Sequence, residues 1–242
     1  MRISRIYTAL PLSGQQQITL EADAAHYLAR VLRLPVGAQL VLFNGDGCEY
    51  AAHITSVDKK YVVVAIDRFE SAERESPLAI HLGIAVSKGE RMDWIVQKAT
   101  ELGVTRITPL LSERVEVKLQ GEREEKRIAH WRAISVSACE QCMRNRIPVI
   151  DSVQPLAKWL DETEADAKFV LHHRSPTTLD STAKPTRVAL LIGPEGGLSE
   201  TEIKLAEREG FASLRLGPRV LRTETAPLAA LSVLQYLWGD LR

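Results

Sequence analysis

Residues 227–238 (Pro-Leu-Ala-Ala-Leu-Ser-Val-Leu-Gln-Tyr-Leu-Trp) are apolar nearly all the way round a helix. Leu228, Leu231, Leu234 and Leu237 recur every third position, with Ala229, Ala230, Val233 and Trp238 around them. Such a helix has to be covered on more than one side, by its own domain or by a second chain. Just before it lies a polar corner, Leu216-Gly217-Pro218-Arg219-Val220-Leu221-Arg222-Thr223-Glu224-Thr225-Ala226, entered from an alternating, strand-like run at 212–216. Arg219, Arg222 and Glu224 are residue types seldom buried without partners. A helix start capped by Thr223 or Thr225, with Pro227 in its first turn, accounts for the threonines and the glutamate. It leaves Arg222 unexplained, and Arg222 therefore marks a site.

A second strand-to-helix corner, Gly193-Pro194-Glu195-Gly196-Gly197, follows the apolar run 188–192. Two such corners in one α/β pattern are where an open sheet binds ligands. The three glycines suit close backbone approach and positive φ. The phosphate-binding patterns with Lys-Ser/Thr or with G-x-G-x-x-G are absent, and Glu195 would repel a phosphate. On spacing alone a tight turn and a ligand loop remain equal readings. His172-His173 and Lys88-Gly89-Glu90-Arg91 also follow strand ends. No His-Glu-x-x-His, nucleophile elbow or aspartate pair accompanies them, so hydrolase and metalloenzyme chemistry are poor fits and no metal site is expected.

The first seventy residues read as short strands with one helix. Strands are predicted at 3–9, 39–43, 50–57 and 61–66, the second and third joined across Asn44-Gly45-Asp46-Gly47. A helix over 24–32, capped by Asp23, ends at Pro35 and Gly37. Several short strands in so little chain predict a small barrel that closes its own edges, over residues 1–70. The polar stretch 69–77 is the expected boundary. From 77 to 242 strands and helices alternate: strands at 78–86, 105–111, 168–172 and 187–192, helices at 92–102, 122–144, 156–160 and 200–209. That alternation predicts a mostly parallel sheet covered on both faces. Ser199 and Glu202 form a capping box for the helix at 200, and Gly103 and Gly210 stop two helices.

Net charge is zero, which excludes a strongly basic coat but not a local patch. Arg2, Arg5, Arg30 and Arg33 give the first stretch a basic excess over Glu21 and Asp23. Cys139 and Cys142 form a C-x-x-C inside a helical pattern, without a second pair at zinc spacing, and read as reduced thiols. No apolar run approaches the roughly 20 residues that cross a bilayer. The basic start lacks the apolar core of a secretion signal, so a cytoplasmic protein without membrane partners is expected.

The two corners, with residues 2–7, 26–34 (HYLARVLRL), 91–104 (RMDWIVQKATELGV) and 140–148 (EQCMRNRIP), resemble the SPOUT-class RNA methyltransferases. The resemblance covers most of the chain. It implies an α/β domain with a deep trefoil knot, an exception to unknotted topology, after an N-terminal PUA-like barrel that binds RNA. It implies S-adenosylmethionine bound by Leu171, His172 and His173, by Gly193, Pro194, Glu195, Gly196, Gly197 and Leu198, and by Leu216, Gly217, Val220, Leu221, Thr223 and Ala226. The implied reaction is methylation of a uridine of 16S rRNA at uracil N(3), in the small ribosomal subunit. Arg222 is assigned to the substrate or its developing charge, with Glu195 and Glu224 as base or orienting groups. Arg2, Arg5 and Arg33 are assigned to RNA. A homodimer with the last helix in its interface is implied too, where a charge at Leu231 would be buried. The alternative is a non-catalytic RNA-binding or ribosome-assembly protein that keeps the pocket. A nucleotide-phosphate hydrolase lacks its motifs.

Overall fold

Alternating apolar residues build the first sheet, and continuous apolar runs build the second. The computed structural model describes residues 3–117, 119–172, 175, 179 and 184–242. They divide into two compact units, Met1–Glu75 with Cys139–Ile147, and Ser76–Ala138 with Pro148–Arg242.

The first unit holds strands β1 (Ser4–Tyr7), β2 (Gln17–Glu21), β3 (Gln39–Phe43), β4 (Cys48–Val57) and β5 (Tyr61–Ser71), in the order β1-β3-β4-β5-β2. Tyr50, Ala52 and Ile54 of β4 and Val62 and Val64 of β5 turn inward, as a half-buried strand with a period of two requires. Gly45 and Gly47 take φ of 94° and 92° in the β3–β4 turn, and Asp46 accepts from the N–H of Cys48 and the hydroxyl of Tyr50. β1 and β2 are the two edges, and among the described residues no ladder joins them. The expected self-closing barrel is therefore an open ladder of five strands. Helix α1 (Ala22–His26) continues as a π-helical turn over Tyr27–Val31. Because α1 begins at Ala22, Asp23 sits inside its first turn and is not the cap.

The second unit holds β6 (Ala79–Ala85), α2 (Arg91–Glu101), β7 (Arg106–Leu111), α3 (Glu122–Cys142), the short β8 (Val149–Ile150) and β9 (Gln154–Pro155), α4 (Leu156–Glu162), β10 (Ala167–Leu171), β11 (Arg187–Ile192), α5 (Glu200–Arg208), β12 (Ala212–Leu214) and α6 (Thr225–Trp238). The end of α3, with the segment to Ile147, belongs to the first unit. Sequence periodicity assigned it to the second, because a helix pattern carries no mark of where its last turn packs. There Glu140 accepts the Tyr7 N–H and Arg144 pairs with Glu75.

The second sheet runs β12-β10-β11-β6-β7-β8, with β9 also on β7, and every ladder in it is parallel. Its central strands β6 and β11 are almost wholly buried, which is why they read as unbroken apolar runs. The capping box of α5 is present in full, and Gly103 and Gly210 take positive φ where helices stop. Leu231 of α6 is completely buried in the unit's own core, whereas Tyr236 is 61% exposed. Leu231 is thus an internal core position and does not report on an interface between chains.

His81 of β6 accepts a hydrogen bond at Nε2 from the Trp159 indole N–H, 3.1 Å away. Burial first, and then the nearby Arg106 charge, push His81 down to about 4, against a partial opposing pull from Asp151. A histidine with a lowered folded pKa binds fewer protons than its unfolded counterpart. Its contribution is present above about 6.5 and is lost as pH falls through 6.5 towards 4. Unfolding free energy should drop by up to about 3 kcal/mol across that window. His81→Gln, which keeps an acceptor but does not titrate, should flatten the slope. An unchanged slope in denaturant titrations would remove His81 as its origin.

Candidate active site

Parallel strands bring their C-terminal ends to one edge. At that edge β10, β11 and β12 end at Leu171, Ile192 and Leu214, and the loops leaving them border a cavity of about 620 Å³. Leu171, Ile192, Leu198, Ile203, Leu214 and Leu216 supply apolar wall. Five arginines (Arg91, Arg114, Arg215, Arg219, Arg222) and three glutamates (Glu195, Glu200, Glu224) supply the charge.

The loop from Gly193 to Gly197 turns on a bond from the Gly197 N–H to the Pro194 carbonyl, 2.8 Å long. Gly197 has φ of 69°, whereas Gly193 and Gly196 are not in the left-handed region. Of the two uses that glycine suits here, positive φ is taken up at Gly197 alone. Gly193 is required for a different reason: a Cβ there would lie 2.8 Å from Leu198 Cγ and 3.0 Å from its backbone nitrogen.

Two arginines from outside hold this loop. Arg91, at the start of α2, donates to Glu195 Oε1 at 2.8 Å, and its Nε lies 3.9 Å from Glu224 Oε2. Arg114 donates to the Gly196 carbonyl at 2.7 Å. The segment carrying Arg114 is fixed in turn, because Glu202 of the α5 capping box also accepts the Glu113 N–H at 2.8 Å. Burial would raise the Glu195 carboxyl. Hydrogen bonds from its own backbone, from Arg91 and from the Lys88 N–H outweigh that and hold it below the usual carboxylate range.

At the second corner the N–H groups of Thr225 and Ala226 both donate to the Arg222 carbonyl at 2.9 Å. The residue at the cap position is Glu224, with no side-chain cap bond, so neither Thr223 nor Thr225 caps the helix. Thr223 is buried against the cavity. Arg215, Arg219 and Arg222 are exposed at its rim, and among the described residues their guanidinium groups make no hydrogen bond or ion pair.

Of the residues that the sequence assigned to this site, Leu171, His172, Gly193, Pro194, Glu195, Gly196, Gly197, Leu198, Leu216, Val220, Leu221, Arg222, Thr223, Glu224 and Ala226 all line one cavity. Gly217 does not; its φ of 73° serves the turn beside it. His173 and Arg2 lie outside the described residues. Arg5 is a correction. Its side chain is 7% exposed, paired with Glu49 and donating to Asn145 Oδ1 at 2.6 Å, so it has no face to offer a phosphate. Arg33 is exposed. Sequence reasoning missed Arg91 and Arg114 as loop anchors. Both had the same signal, a place just beyond a strand end, Arg91 after β6 and Arg114 after β7.

Residues 74–235 match the family described as RNA methyltransferase domain, and residues 20–67 the family described as RNA methyltransferase PUA domain. The chain is 38% identical to ribosomal RNA small subunit methyltransferase E of Buchnera aphidicola subsp. Schizaphis graminum, covering 99% of this chain and 98% of that protein. A methyltransferase of Legionella pneumophila, solved in complex with the cofactor SAM, superposes with a TM-score of 0.96 at 46% identity, over 100% of both chains. The small subunit methyltransferase E of Neisseria gonorrhoeae, bound to S-adenosyl methionine, gives 0.93 at 36%, again over 100% of both. The chain belongs to this family of RNA methyltransferases, alongside relatives named ribosomal RNA small subunit methyltransferase E.

After its own backbone N–H, Arg91 is the main group that holds the Glu195 carboxyl down. In Arg91→Met the Glu195 midpoint should rise towards the ordinary carboxylate range in a carbon-detected NMR titration. A midpoint that stays where it is would assign the depression to the backbone donors alone.

Proposed function

We propose that this chain uses S-adenosylmethionine to methylate a uridine of 16S rRNA at uracil N(3), acting on the small ribosomal subunit in the cytoplasm. The observation that carries the reading is one cavity bordered by three strand-end loops, with unpartnered arginines at its rim, in a chain whose full-length relatives are small subunit rRNA methyltransferases. The choice of N(3) comes from the motif resemblance.

The cavity's volume lies within the range of small-molecule sites. Leu171, His172, the loop from Gly193 to Leu198, and Leu216, Val220, Leu221, Thr223 and Ala226 would hold the cofactor, with apolar side chains on its flat face and backbone groups on its polar edges. Bound S-adenosylmethionine supplies a methyl group that is already electrophilic. The chain's own task is to hold the uracil nitrogen in line and to favour its deprotonated form. Arg222, exposed and unpartnered, is suited to stabilise the developing uracil anion. Glu195 is a weak base because its carboxyl is held low, and it fits an orienting role. Glu224, beside Arg91, is the second orienting carboxylate.

Two further parts of the reading rest on the same resemblance. A trefoil knot around the pocket is carried by the motif resemblance alone. The exposed Val233 and Tyr236 of α6 support a homodimer through that helix. Tyr236→Asp should give a folded monomer by sedimentation, and a dimer that survives it would place the contact elsewhere.

The direct test incubates the purified chain with labelled S-adenosylmethionine and either small subunits or deproteinised 16S rRNA, followed by nucleoside analysis. N(3)-methyluridine is expected, and another nucleoside or none would overturn the reading. Arg222→Ala should lower kcat by about 100-fold or more, with cofactor affinity nearly unchanged. Gly193→Ala should do the reverse, weakening cofactor binding through the clash with Leu198. Equal effects of both variants on both quantities would dissolve the division of roles.

A further inference from the structure

The peptide unit between Gly196 and Gly197 joins two residues of the type with the least intrinsic backbone restraint. Its N–H donates to the Pro194 carbonyl at 2.8 Å, and its carbonyl accepts from Arg114 at 2.7 Å. Pro194 lies in the same loop and moves with it. Arg114 does not. It stands inside a turn after β7, closed by the Val115 N–H on the Ser112 carbonyl at 3.1 Å. Its methylene stem runs beside the loop, where a Cβ on Gly196 would lie 3.4 Å from Arg114 Cβ and Cδ.

The turn has an anchor of its own. Glu202 is 5% exposed, and its carboxylate is divided between two backbone donors. Oε2 accepts the Ser199 N–H, just past the glycine loop, and Oε1 accepts the Glu113 N–H, both at 2.8 Å. A capping box uses only the first of these bonds. The second ties the start of α5 to the turn that carries Arg114. A buried carboxylate has no water to replace either donor, so releasing one is costly.

We propose that Glu202 and Arg114 form a positioning relay that keeps the Gly196–Gly197 peptide from turning over, so that the cavity wall is set before the cofactor enters. Arg114 acts through the Gly196 carbonyl, and Glu202 acts through Arg114. Order that is present beforehand is not subtracted from the free energy of binding. This rests on the cofactor-binding reading above and gives a part in it to residues outside the three cofactor loops.

Calorimetric titration of the full chain tests the relay, with S-adenosylmethionine and with 5′-methylthioadenosine, which lacks the carboxylate tail. Arg114→Ala should weaken both ligands by the same factor, about 10-fold, and Arg114→Lys should recover part of the loss. Glu113→Pro removes only the N–H that Glu202 accepts, at a turn position that suits proline. It should weaken both ligands about 3-fold, and add nothing once Arg114 is replaced by alanine. Glu113→Gln loses the same charge but keeps the N–H, and should bind as the wild type does. Ser199→Ala weakens the α5 cap without touching Glu113, and should lower the unfolding midpoint while leaving both affinities in place. With small subunits as substrate, Arg114→Ala should raise KM for S-adenosylmethionine and leave kcat unchanged. A loss confined to S-adenosylmethionine would make Arg114 a direct partner of the carboxylate tail and overturn the relay. Multiplying effects of Arg114→Ala and Glu113→Pro would overturn it too, as would a Ser199→Ala variant weakened as much as Glu113→Pro. Failure of the wild-type chain to bind either ligand would sink the cofactor reading itself, and the relay with it.

Discussion

The parallel pairing of β11 with β6 is the contact on which the second unit depends. Arg187–Ile192 lies in register against Ala79–Ile84 across most of the unit's sequence. Each partner carries a further parallel neighbour, β10 on one side and β7 on the other. A parallel pair cannot be closed by a hairpin, so each crossover has to return to the same end of the sheet. The consequence is chemical. Every strand in the unit delivers its C-terminal loop to one edge, and that edge is where glycine-rich, irregular backbone can line a cavity without disturbing the buried ladder.

The cavity divides its arginines into two kinds. Arg91 and Arg114 are engaged with the protein itself, one on a carboxylate and one on a carbonyl, and they fix the Gly193–Gly197 loop from outside. Among the described residues Arg215, Arg219 and Arg222 have no partner, so their charge is directed at whatever enters. The first unit repeats this division, with Arg5 and Arg144 closing buried pairs and the exposed Arg30 and Arg33 making no side-chain bond among the described residues. Zero net charge on the chain conceals both surfaces, because the paired arginines cancel against glutamates and the free ones remain local.

Much of this was legible in the sequence for identifiable reasons. Arg222 stood out because a helix cap could not account for it, whereas at Gly193 and Gly197 a tight turn and a ligand loop read equally well until the motif resemblance was added. The β11 strand and the α5 capping box were readable from composition and a four-residue pattern. Strand β2, the π-turn and the end of α3 were not legible. Each depends on which neighbour a short segment meets, and local periodicity does not contain that. Arg5 misled for the same reason: an arginine near a terminus reads as exposed until Glu49 and Asn145 are seen closing over it. Leu231 misled in the opposite sense, since an all-apolar helix does not say which side faces the core.

What keeps the Arg222 corner in register is a polar residue inside an apolar helix. Gln235 of α6 is completely buried, yet both ends of its amide are satisfied: Nε2 donates to the Leu102 carbonyl at 3.1 Å and Oε1 accepts from the Ser76 hydroxyl at 2.6 Å. A Cβ on Gly103 would lie 2.7 Å from the amide nitrogen, and one on Gly239 would lie 1.8 Å from the amide oxygen. Those two glycines therefore keep the space the amide occupies. An apolar side chain could fill it at less desolvation cost. The amide supplies direction instead, since sliding or rotating α6 would leave a buried donor and acceptor unpaired. The first turn of the same helix hangs from the Arg222 carbonyl. The register that Gln235 selects at one end is thus handed along the helix to the residue that faces the cavity at the other.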